Sequence, residues 1–182
     1  MNYRQTVREI ALDQYGYVTT RDAADAGVPA VELRKLAARG ALTNVAYGLY
    51  RLTDARPTEY DQFAEALLRV GDGAYLRGDA VLALHQLALV NPRRIRVGAP
   101  RRVRAALPEF IDLREEVVPN EDLTVYEGLR ATTVAKALLD CLGQIMTERL
   151  LDAAKQAKAE GLLTGREYAR VRRALTQQTR VA

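Results

Sequence analysis

Along the first forty residues, apolar positions recur every three to four places in short runs separated by glycines. Val7, Ile10, Ala11 and Tyr15 keep helical spacing, which predicts a helix over 6–15 stopped by Gly16. Residues 17–19 (YVT) read as a short extended piece. Thr20 is placed to cap a second helix over 21–26, with Asp22 near its positive end. Gly27 ends that helix and gives the backbone freedom for a turn. Pro29 suits the first position of a third helix over 29–39, stopped by Gly40. Val31, Leu33, Leu36 and Ala37 form its inner stripe, leaving Glu32, Arg34, Lys35, Ala38 and Arg39 outside. Residues 42–52 then read as a hairpin with its tip within 44–48. Helix, tight turn, helix and ribbon in this order outline a winged helix-turn-helix, where one face of the last helix packs and the other meets a DNA groove.

The polar, proline-containing stretch TDARP (53–57) is the predicted linker, giving domains 1–56 and 57–182. Beyond it the pattern predicts a helix over 58–70 with Tyr60, Phe63, Ala64, Leu67 and Val70 inward. A strand or turn at 74–76 and a helix over 80–87 capped by Asp79 follow. Strands are predicted at 93–97, 111–117 and 123–126. The segment Arg130-Ala-Thr-Thr leads into a helix over 134–142 capped by Thr132 or Thr133. That helix is apolar on most sides and is the predicted centre of the second domain. Amphipathic helices over 147–159 and 164–177 close the chain. The fold class expected is α+β: an N-terminal winged helix-turn-helix, then a mixed α/β C-terminal domain ending in helices.

Composition narrows the chemistry. A hydrophobic fraction of 48% is enough to build a core. Cys141 stands alone, so an intramolecular disulfide and a cysteine-rich zinc site are excluded. The opening MNYRQTVREI has no apolar run, and no stretch reaches the roughly 18–20 apolar residues of a membrane span. A soluble, cytoplasmic protein with no membrane contact is expected. The net charge of +4 conceals blocks: residues 93–105 hold six Arg and no acid, whereas 106–148 hold nine acids against three bases. Basic blocks concentrate polyanions such as nucleic acid. The acidic stretch suits a basic partner protein or the chain's own basic segments.

The candidate groove readers are Arg34, Lys35 and Arg39 with Ala38, since a bidentate Arg–guanine pair is the commonest specific base contact. Thr19, Thr20 and Arg21 at a helix start are candidate phosphate binders, though capping explains the threonines equally well. Arg51 on the ribbon is another phosphate candidate. Arg93, Arg94, Arg96, Arg101, Arg102 and Arg104 admit three readings: a second phosphate surface, a docking face for a protein, or a solvated edge. Strand alternation would put Arg94 and Arg96 on one face with Ile95 and Val97 inward. His85 reads as a hydrogen-bonded core residue and Cys141 as an inert core thiol. Glu115 and Glu116 point to opposite faces of a strand, and Gly71-Asp-Gly73 lacks the Lys and Ser/Thr of a phosphate loop. Asp112, Glu127 and Lys136 are the only spaced residues for a nuclease-type metal site. No catalytic set assembles, so no enzyme, metal or cofactor is expected.

Four stretches together resemble AbiEi-type antitoxins of type IV toxin–antitoxin systems. They are Tyr17-Val-Thr-Thr-Arg-Asp-Ala; Leu36-Ala-Ala-Arg-Gly-Ala-Leu with Tyr47-Gly-Leu-Tyr-Arg-Leu; Gly78-Asp-Ala-Val-Leu-Ala-Leu-His-Gln-Leu; and Arg130-Ala-Thr-Thr-Val-Ala-Lys-Ala-Leu-Leu-Asp. The resemblance spans residues 3–142. Asp79 stands where the family more usually has Ser, and Thr43-Asn44-Val45-Ala46 lacks the basic residue often found at the wing tip. The resemblance implies an N-terminal domain that binds inverted repeats in operator DNA and represses its own operon. It implies a C-terminal domain that goes with neutralising a nucleotidyltransferase-like toxin. The chain would be a monomer or weak dimer that pairs on DNA. The alternative is a stand-alone winged-helix regulator with no toxin partner.

Overall fold

The computed structural model describes residues 2–179 and divides into two compact units between Gly71 and Asp72. In the first, α1 runs Tyr3–Leu12, starting three residues before the expected point because the Asn2 side chain accepts from the Gln5 amide. It also ends before Tyr15. Tyr15 and Gly16 both take positive φ, and the Gly16 amide turns back to the Ala11 carbonyl at 2.7 Å. Strand β1 (Tyr17–Thr19) leads straight into α2 (Thr20–Asp25). The cap is Thr19, one residue earlier than expected: its Oγ1 accepts from the Asp22 amide and Asp22 accepts from the Thr19 amide, each at 3.0 Å. Helix α3 spans Ala30–Ala38, with Pro29 at the cap position outside it. The wing is β2 (Leu42–Ala46) and β3 (Leu49–Leu52), which joins β1 in an antiparallel sheet ordered β1-β3-β2. Val7, Ala11, Val18, Leu33, Leu36, Tyr50 and Leu52 meet in one core.

Helix α4 (Asp61–Val70) belongs to this first unit, so the expected boundary at 56/57 falls too early. Its polar side chains hold it there. The Tyr17 hydroxyl donates to Glu65 at 3.0 Å, and Arg51 pairs with Asp61. Arg69 donates to the Val45 carbonyl at 3.0 Å and pairs with Glu65. TDARP bends the chain without separating two units.

Among the described residues the second unit is a five-stranded mixed sheet, ordered β6-β5-β4-β8-β7, with four α-helices. Its strands are β4 (Tyr75–Leu76), β5 (Ile95–Ala99), β6 (Ile111–Glu115), β7 (Leu123–Tyr126) and β8 (Leu129–Thr132). Strand β5 lies two residues later than expected, and β6 stops at Glu115. The approach to the late helix is itself a strand: β8 pairs antiparallel with β7 and parallel with β4. Helix α5 spans Asp79–Leu84; Gly78, at positive φ, takes the cap position given to Asp79. Helix α6 (Val134–Asp140) is capped by Thr133 and buries Val134, Ala135, Ala137 and Leu138. It packs against α5, α7 (Thr147–Ala159) and α8 (Gly165–Thr179), as the centre of this unit should. Among the described residues no helix is long and apolar enough to cross a membrane.

Candidate nucleic-acid interface

The geometry of the first unit starts at a turn. Gly27 takes φ 75°, and the Val28 amide reaches back to the Ala23 carbonyl at 2.7 Å. Val28 is buried, so the chain re-enters the core before α3 begins. Leu33 and Leu36 then anchor α3, which fixes the opposite side outward. Arg34, Lys35, Ala38 and Arg39 are all exposed, as their outside positions predict. Lys35 leans on Glu32 at 2.8 Å; Arg34 and Arg39 make no ion pair among the described residues. Val31 departs from the expected inner stripe. It is 43% exposed and lies about 200° around the helix from Leu33, on the face that carries Arg34 and Lys35.

The wing turns on Tyr47-Gly48, and Tyr47 is fully exposed. The tip is tied to α2: the Thr20 amide donates to the Gly48 carbonyl at 2.8 Å. A side chain at 48 would stand 2.9 Å from the Thr20 Oγ1, at a φ of 67°. Thr19 and Thr20 therefore have structural work, the first as a cap and the second as the seat of the wing. Arg21 is exposed on α2. Arg51 is engaged internally. It pairs with Asp61 and its guanidinium lies 5.4 Å from the centre of the Tyr17 ring. Burial and the adjacent Glu65 carboxylate push the Tyr17 phenol up, with Arg51 opposing them. One contributor escaped sequence reasoning: Arg4, near the start of α1, lines the same concavity as Arg39, Leu36 and Gly40. No sequence spacing links residues 4 and 39.

In the second unit the arginine block splits. Ile95 and Val97 are buried, as alternation predicts. Arg94 Nε donates to the Glu109 carbonyl at 2.8 Å. Arg96 is half-buried against Asp79 at 3.3 Å and Asp112 at 3.7 Å, and donates to Gln144. Burial raises the Asp79 carboxyl, with Arg96 opposing. Arg93, Arg101, Arg102 and Arg104 are exposed. The 100–110 loop is pinned where the Val103 amide donates to Glu115 Oε1 at 2.9 Å. Sequence alternation found the face shared by Arg94 and Arg96 but not the acids that occupy it.

The remaining candidates carry no chemistry into a common site. Burial pushes the Cys141 thiol up to about 12, far from a working nucleophile. His85 is half-buried, its ring centre 4.2 Å from that of Tyr126 with the planes tilted by 48°, and burial lowers its pKa. Asp112 faces Arg96, and Lys136 pairs with Asp140. No group of three or more His, Cys, Asp or Glu among the described residues is arranged to hold a metal.

A buried turn, an outward basic helix and a wing lie in unbroken succession from α1 to β3. Residues 5–53 match the family of AbiEi antitoxin transcriptional regulators. The AbiEi match begins in α1 and ends one residue past β3, so it covers the winged module and nothing beyond. The stretches at 78–87 and 130–140 lie outside it. This is a family of regulators rather than enzymes. The crystal structure of the RV2827C protein from Mycobacterium tuberculosis aligns over 96% of this chain and 78% of its own length, at 17% identity and a TM-score of 0.48. No curated protein matches the chain.

Proposed function

We propose that the chain is an operator-binding repressor and antitoxin of a type IV toxin–antitoxin system, working in the cytoplasm. The observation that carries this reading is the outer face of α3. It presents Arg34 and Lys35 with Arg39 at its end, inside the segment that matches AbiEi regulators. Arg34 and Arg39 read guanine edges, and Thr19, Thr20 and Arg21 lie where a phosphate passes the start of α2. Arg4 extends the phosphate contacts beside Arg39. An inverted repeat seats two protomers on one face of the duplex, and their occupancy blocks the promoter. Residues 72–182 carry the contact with a nucleotidyltransferase-like toxin. In a reporter strain the chain should repress its own promoter, and its co-expression should rescue growth from the product of the adjacent gene. Repression without rescue would leave a stand-alone regulator; absence of repression and of promoter binding at low salt would refute the DNA reading.

Among the described residues, Arg93 and the three loop arginines Arg101, Arg102 and Arg104 are left open to a polyanion; Arg94 and Arg96 are occupied within their own unit. Neutralising all three should flatten the dependence of log K on log salt by about 2 to 3, since each phosphate contact contributes about 0.9. Fluorescence anisotropy across a salt series measures this slope. An unchanged slope, with loss of toxin capture, would assign the loop to the partner protein.

A further inference from the structure

Val31 is the one large apolar residue on the outer face of α3, and nothing in the core claims it. The cluster around Leu33 and Leu36 takes in Ala37 and Ala41 but not Val31. It is the second residue of the helix, with Arg34 at the next turn, Lys35 beside it and the small Ala38 two turns on. A singly exposed valine is ordinary on a protein surface. This one stands in the N-terminal part of a recognition helix, the part that meets base edges. Arg34 and Lys35 are long and reach outward; Val31 is short and branched, so it meets whatever lies nearest the helix surface. In a helix its χ1 is held largely to one rotamer, which fixes both methyls before any ligand arrives. The apolar group that the major groove offers is the 5-methyl of thymine. We propose that Val31 reads a thymine methyl in the operator, and is a specificity-determining residue beside Arg34 and Lys35. This rests on the assignment of α3 to the major groove.

The test uses the full chain and a duplex that it selects from a random pool. Each thymine is replaced in turn by deoxyuridine, which removes only the methyl. At one thymine in each half-site the affinity should fall about fourfold, the effect of exposing one methyl-sized group. In Val31→Ala, thymine and deoxyuridine duplexes should bind alike, within about twofold. Alanine is a better helix former at this exposed position, so the variant should fold, which circular dichroism checks. An equal penalty in Val31→Ala, or no thymine at which the methyl matters, would overturn the inference. Arg34→Ala on the same duplex separates the two levels. If it weakens binding while the deoxyuridine scan is flat, α3 still reads DNA and only the role of Val31 fails. If it has no effect, or if no sequence is selected, the groove assignment fails and the role of Val31 fails with it.

Discussion

Replacing Arg34 and Arg39 together by Ala should lower operator affinity about thirtyfold or more, because each lost guanine contact costs about 1–3 kcal/mol. The loss should be larger on the operator than on random duplex, since base contacts carry sequence information and phosphate contacts do not. Gel shifts with both duplexes at one fixed salt concentration measure the ratio. The structure gives a control within the same unit. Arg51 is equally cationic but is held by Asp61 and Tyr17, so Arg51→Gln should affect folding more than DNA binding. If Arg51→Gln weakened binding more than the α3 pair, the wing would be the reader and α3 a support.

The largest expected effect on stability lies far from that face. Tyr75 of β4 is 1% exposed and lies across Gly98 of β5, its register partner. Its hydroxyl donates to the Glu116 carbonyl at 2.8 Å. A Cβ at 98 would sit 2.1 Å from the ring, and a buried ring has nowhere to go. Gly98→Ala should therefore destabilise the second unit by about 3 kcal/mol or more, combining overpacking with the strained or lost hydrogen bond. The urea midpoint of that unit should fall with an unchanged slope. A second substitution isolates the cause. In a Tyr75→Ala background the same Gly98→Ala change should cost little, because the new methyl enters space the ring has left. Full additivity of the two would show that the glycine is needed for its backbone and not for the ring.

How much of this was legible in the chain depends on the range of the interaction. Thr19 and Asp22 are three apart, and the turn at Gly27 involves neighbours only, so spacing alone places α2, the turn and α3 to within a residue or two. Leu33, Leu36 and the exposed Arg34, Lys35 and Arg39 follow from helical period. Val31 was misassigned because apolar character was weighed above angle: two residues from Leu33, it lies on the other side of the helix. The segment leading into α6 gives no sign of strand β8, because its pairing partners β7 and β4 come beside it only in the fold.

By itself the sequence determined the order of elements in the winged module and the basic outer face of α3, because caps, glycine turns and helical period act within a few residues. The tertiary structure alone decided which of the candidate arginines are taken up by acids. Arg51 meets Asp61 and Arg96 meets Asp79 and Asp112 across packed elements, while Arg34 and Arg39 meet no acid among the described residues. It also decided that α4 closes the first unit, through Glu65, Asp61 and Arg69, and that Gly98 makes room for Tyr75. Ion pairing and ring packing turn on ångström separations between residues remote in the chain, and only the folded backbone sets those separations.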